Sequence, residues 1–269
     1  MENMIFVEGA SQDLDYKNDV ITENRGLPEM KSFPDTYVVV DLETTGLQPA
    51  RDRILEIGAW KVVDGKVTEK FWEYVNPQME ITPHIQDLTG ISDEMVKDAR
   101  IISEVLPEFV VFCEGFDLLG HNILFDYSFL KQQAVKMKIP FEKNGIDTLK
   151  IARALLPELE SRRLEALCEY FRIPLTHAHR AYYDALATQQ LYECLKERAS
   201  EGQEDIFSPK ELLYKPKKQS PITQFQKAYL NDLVKYHRIE LHVCVDSLTK
   251  NEASRMIDTI MSEYGRIKR

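Results

Sequence analysis

A β-branched run that ends in two acids constrains this chain most: residues 37–47 read YVVVDLETTGL. Val38, Val39 and Val40 predict a buried strand, which runs straight into Asp41, Leu42 and Glu43. Side chains alternate along a strand, so Asp41 and Glu43 share one face and Leu42 takes the other. Two carboxylates side by side at the end of a buried strand repel each other and are costly to desolvate. A divalent cation between them reverses that cost, because hard oxygen ligands suit Mg²⁺ or Mn²⁺. In a chain with 44 acidic residues a lone D-x-E also arises by chance, so matching residues further along the chain must decide.

At 269 residues, 43% hydrophobic and 29% charged, the chain can hold one sizeable core and a smaller unit. No apolar run reaches the roughly 20 residues that cross a bilayer, so no membrane association is expected. The first residues, MENMIFVEGASQDLD, are acidic and do not read as a secretory signal. Cys113, Cys168, Cys194 and Cys244 form no CxxC pair, which fits reduced core thiols in a cytoplasmic protein. The net charge of −10 is uneven: residues 1–35 carry eight acids and three bases, residues 209–269 seven acids and twelve bases. The acidic middle would repel a polyanion, so phosphate chemistry there must depend on bound cations, local Lys and Arg groups and backbone amides.

Residues 1–35 read as an acidic flexible arm. Next come strands at Ile54–Val63 and 67–75, joined by the Asp64-Gly65 turn signal, which with the first strand make an antiparallel meander. Helical spacing is found at 92–99, 101–113, 125–137, 149–156, 164–171 and 181–198, with short strands at 117–121 and 145–148. Residues 36–200 thus form an α/β domain, a mixed sheet flanked by helices. Residues 201–220 read as a linker. Residues 221–269 read as a small helical module, with Ser220 as N-cap, Pro221 at N1, and Ile222, Phe225, Tyr229, Leu233 and Tyr236 as one stripe. Thr249 and Glu252 form a capping box for its second helix.

Three more positions complete the pattern. HNILFDYSFL (121–130) puts Asp126 in the first turn of a helix, and HRAYYDA (179–185) puts Asp184 early in the long closing helix with His179 just upstream. D-x-E at a strand end, then HNxxFDxxFL, then HxAxxDA, resembles the DEDDh (DnaQ-like) 3′–5′ exonucleases, a family that includes the proofreading epsilon subunit of bacterial DNA polymerase III. RDRILEIGAWKV, LTGIS and DTLKIAR match as well, so the resemblance covers about residues 36–200.

The resemblance implies a ribonuclease H-like fold with a five-stranded mixed sheet, and two Mg²⁺ or Mn²⁺ ions roughly 3.5–4 Å apart. It implies Asp41 bridging both ions, Glu43 and Asp184 completing the nucleophile side, Asp126 serving the other, and His179 taking a proton from the attacking water. Thr44, Thr45, Leu47, Thr89, Asn122 and Phe125 are the candidate substrate contacts. Phe125 is equally a core residue, and His84, His121 and His177 carry surface or structural roles. The expected partner is a nucleic acid with a free 3′ end, and the expected protein partner is a DNA polymerase. Degradation of RNA in the manner of ribonuclease T, or a non-catalytic binding role on the same fold, are the alternatives.

Overall fold

The computed structural model of the chain describes residues 33–175, 178–217, 220–241 and 243–267. The expected acidic arm, all but its last three residues, lies outside them, as do His177 and Lys218. Residues Ser32–Arg269 form one compact unit.

A sheet of six strands in the order β3-β2-β1-β4-β5-β6 is its frame. β1 (Tyr37–Thr44), β2 (Ile54–Val63) and β3 (Lys66–Tyr74) form the expected antiparallel meander. β4 (Leu118–Gly120) and β5 (Asn144–Asp147) add in parallel beside β1. The sixth strand, beyond the five expected, is the two-residue β6 (Lys210–Glu211), antiparallel to β5. It comes from the segment expected to be a linker.

Alternation along β1 builds two cores. Val38, Val40 and Leu42 face α3 (Ile102–Phe112) and α4 (Leu124–Lys136), packing with Phe109, Phe129 and Leu130. Tyr37 and Val39 face α5 (Thr148–Leu155), α6 (Leu164–Phe171) and α7 (Ala181–Arg198), packing with Ile151, Leu167 and Leu191. Burying rows of large apolar side chains on both faces of a sheet is the main favourable term for a domain of this kind. Cys113 and Cys168 are buried, one in each core. A helix that the sequence pattern does not announce, α1 (Pro83–Thr89), joins α2 (Asp93–Val96) in covering the end of β2 through Ile85, Ile91 and Val96.

After α7, Phe207 is fully buried against Tyr192 and Phe33. The main chain beyond β6 is pinned where the Gln132 side chain accepts from the Tyr214 hydroxyl and the Lys217 amide. The last two helices, α8 (Gln224–His237) and α9 (Lys250–Tyr264), share a small core of Leu230, Leu233, Leu248, Ala253, Ile257 and Ile260. The capping box of α9 is as expected, with the Thr249 hydroxyl accepting from the Glu252 amide. The start of α8 is not: Thr223, not Ser220, is its N-cap, boxed with Gln226. Pro221 instead bridges to Thr249, so the chain is extended there. The expected stripe is also corrected, since Phe225 and Tyr236 are exposed and Leu230 takes the core position.

Candidate active site

Asp41 and Glu43 continue the row of Tyr37 and Val39, so both carboxylates emerge on the α7 side, at the carboxyl end of β1. Asp126 reaches them from the first turn of α4, where a helix N-terminus favours an anion. Its Oδ1 accepts the Leu42 amide at 3.0 Å, which ties α4 to the strand between the other two acids. Asp184 comes from the first turn of α7, and its Oδ2 accepts the His179 amide at 2.9 Å. His179 has φ of 61°, a left-handed conformation that a non-glycine residue holds only when its surroundings impose it. That turn brings the imidazole back over the carboxylates. One ligand atom each of Glu43, His179 and Asp184 lie within 4.8 Å of one another.

All four acids and His179 line one cavity of about 760 Å³. Crowding and burial push their carboxyls far above the usual range near 4. Asp41 is raised by burial, then by the charges of Asp126, Asp184 and Glu43. Burial lifts Glu43 to about 8, helped by Asp184, Glu56 and Asp126 and opposed by Arg180. Asp126 rises to about 8 through burial, against hydrogen bonds from its own and the Leu42 amide. Asp184 rises to about 7 through burial, against the amides of His179 and Arg180. Asp184 Oδ1 is buried with no hydrogen-bond partner. A buried, unsatisfied oxygen among carboxyls that resist ionising is costly unless a cation balances it. A cluster of carboxylate oxygens fits hard divalent cations such as Mg²⁺ or Mn²⁺.

The candidate substrate contacts divide. Asn122 and Phe125 line the cavity, Phe125 while also packing on the core behind α4. Thr44, Thr45, Leu47 and Thr89 do not line it. The Thr44 hydroxyl donates to the Gly46 carbonyl, the Thr45 hydroxyl accepts the Arg53 amide, and Leu47 is 81% exposed. Buried Thr89 closes its own turn, donating to the Ile85 carbonyl and accepting the Ile91 amide. His121 also lines the cavity, with its ring nitrogens at 2.9 Å from the Thr148 hydroxyl and 2.8 Å from the Arg162 carbonyl.

The cavity is also lined by Arg163, Leu164 and Glu165, which no motif in the sequence singles out, and by Leu88 and Arg153 from the LTGIS and DTLKIAR stretches. Glu165 Oε1 lies 2.9 Å from His179 Nε2. Asp147, from the DTLKIAR stretch, takes the Asn122 and Leu149 amides at 3.0 and 3.1 Å, so it fixes the turn before α4 while capping α5. Only the motif context could have flagged Asp147. Nothing in the sequence marks Glu165, whose α6 position reads as an ordinary solvent-facing acid.

Fold and site together define a ribonuclease H-like nuclease, a mixed sheet with an acidic cluster at the end of its first strand. The family model described as exonuclease matches residues 38–192, and the chain belongs to that family. The DNA polymerase III PolC-type protein of Caldanaerobacter subterraneus subsp. tengcongensis is 43% identical over 170 residues, 63% of this chain and 12% of the relative. That of Bacillus subtilis is 41% identical over 171 residues, again 12% of the relative. The chain therefore spans about an eighth of the curated relatives it matches. Among solved structures, exonuclease X in complex with 5′ overhanging duplex DNA superposes with a TM-score of 0.51 at 27% identity, covering 64% of this chain and 99% of that one. E. coli exonuclease I in complex with a dT13 oligonucleotide has the same fold, with a TM-score of 0.56 at 23% identity over 61% of this chain and 42% of that one.

Proposed function

We propose that this exonuclease uses two divalent cations, Mg²⁺ or Mn²⁺, to remove nucleoside 5′-monophosphates from the 3′ end of single-stranded or frayed DNA, in proofreading or repair. The observation that carries this reading is the convergence of Asp41, Glu43, Asp126, Asp184 and His179 on one cavity, with the inner oxygen of Asp184 unpartnered. Asp41, Glu43, Asp126 and Asp184 would hold the cations. When bound, such cations supply positive charge against the charge that develops on the phosphoryl group, and they acidify the attacking water.

The side chains supply the rest. In a neutral ring with Nε2–H donating to Glu165, Nδ1 is left as the acceptor for a proton. Water oxygen attacks phosphorus, the bond from phosphorus to the 3′ oxygen breaks, and the water proton passes to His179. The products are a 5′-monophosphate and a strand one nucleotide shorter, whose leaving 3′ oxygen takes a proton from solvent water to become a hydroxyl. Asn122 and Phe125, on the cavity wall, are placed to meet the terminal nucleotide. The identity with PolC-type polymerases over the same segment supports action beside a DNA polymerase, in the cytoplasm. No helix among the described residues is long and apolar enough to cross a membrane.

The test uses the full chain, Mn²⁺, and matched DNA and RNA oligonucleotides labelled at the 3′ end. Labelled mononucleotide should appear at once from DNA and not from Asp41→Ala protein. His179→Ala should slow release by about 10²–10⁴-fold while Mn²⁺ affinity measured by calorimetry stays near wild type. No release, or equal release from Asp41→Ala, overturns the reading. Faster release from RNA moves the substrate class, and a collapse of Mn²⁺ affinity in His179→Ala makes that residue a ligand.

A further inference from the structure

We propose that Glu56 is a positioning residue that sets the backbone carrying His179 and Asp184 in register with the strand carrying Asp41 and Glu43. The inference rests on the reading of those four residues as the reactive centre. Glu56 lies on β2 directly opposite Glu43, is 0% exposed, and touches no part of the cavity. Its carboxylate accepts from Trp72 Nε1 at 2.6 Å, Arg180 Nε at 3.2 Å, Arg180 Nη2 at 3.3 Å and the Ala181 amide at 3.1 Å. Arg180 also donates to the Tyr74 hydroxyl and lies over its ring. The cation beside His179 is thereby turned away from the cavity, and the charge of Glu56 is matched.

The next residues on that face of β2 continue the grip. A Cβ on Gly58 would overlap the Ala181 carbonyl group, so strand and helix touch backbone to backbone. Trp60 Nε1 donates to the Tyr182 carbonyl at 3.1 Å. Glu56, Gly58 and Trp60 thus hold Arg180, Ala181 and Tyr182 in step, and those three residues lie between His179 and Asp184. A carboxylate is needed because all four groups facing it are donors; glutamine would point its own amide hydrogens at one of them.

The test is Glu56→Gln in the full chain, with Arg180→Lys, which keeps the charge and loses the fork, as the second variant. Misplacing His179 and Asp184 should lower kcat about 10–100-fold and raise the Mn²⁺ concentration for half-maximal rate, with KM for the strand unchanged. Arg180→Lys should fall between Glu56→Gln and wild type. A purely structural role would lower the melting temperature while leaving kcat and Mn²⁺ dependence per folded molecule at wild-type values. That outcome in Glu56→Gln, or in Arg180→Lys if the first variant does not fold, overturns the proposal. If wild type releases nothing, the functional reading fails separately, and calorimetric Mn²⁺ titration of wild type and variant still decides the positioning role.

Discussion

Asp184 concentrates the electrostatic problem of the site in one side chain: one oxygen is satisfied by the His179 amide, and the other is buried with no hydrogen-bond partner. Its consequence for stability has a definite sign. In the unfolded chain carboxyls titrate near 4, whereas burial lifts Glu43 and Asp126 to about 8 and Asp184 to about 7. Between those limits the folded state binds more protons than the unfolded one, so stability falls as pH rises through about 4 to 8. In EDTA the melting temperature should drop steadily across that window, and Mn²⁺, which favours the ionised form, should reverse the trend. Asp184→Asn in EDTA at about pH 8 should melt above wild type. A flat profile without metal would contradict the account. The four acids and His179 are legible in the sequence because each sits in a local pattern with its own logic. Glu56 is less so: it is the one charged residue of ILEIGAW, inside a stretch that matches the family, yet only the fold shows which donors cover it.

At the level of elements, β2 does more than pair with β1. Gly58→Ala should press a methyl group into the first turn of α7, costing about 1–3 kcal/mol, and should lower mononucleotide release with the thermal midpoint; an unchanged midpoint would mean the contact relaxes freely. Most helices and strands are readable from periodicity, α6 and α7 to the residue. Differences fall where local signals are overruled. Ser220-Pro221 has the composition of a helix start, yet the bridge to Thr249 and the hydrogen bond from the Lys250 amide to the Ser220 carbonyl hold it extended. Leu230 takes the small-core position, and Phe225, in the first turn of α8, stays 80% exposed. The two-residue β6 is too short for any pattern to announce, and it forms only because β5 offers an open edge.

For the molecule as a whole, the carboxy-terminal helices are fastened to the nuclease fold. Arg53, which opens the run into β2, pairs with Glu252 in the first turn of α9, their side chains only 19% and 10% exposed. Separating such partly buried partners costs on the order of 2 kcal/mol. Arg53→Ala should lower the urea midpoint by a corresponding amount, and Glu252→Gln, which keeps a hydrogen-bond acceptor, should lower it less. Equal midpoints for all three proteins would show that the pair adds nothing. The amide and carbonyl of the same Arg53 are bonded to the hydroxyl and amide of Thr45, in the turn where the strand of Asp41 and Glu43 ends. The ion pair that fastens the last two helices is therefore continuous, through the Arg53 main chain, with the turn that ends the strand of the first two acids.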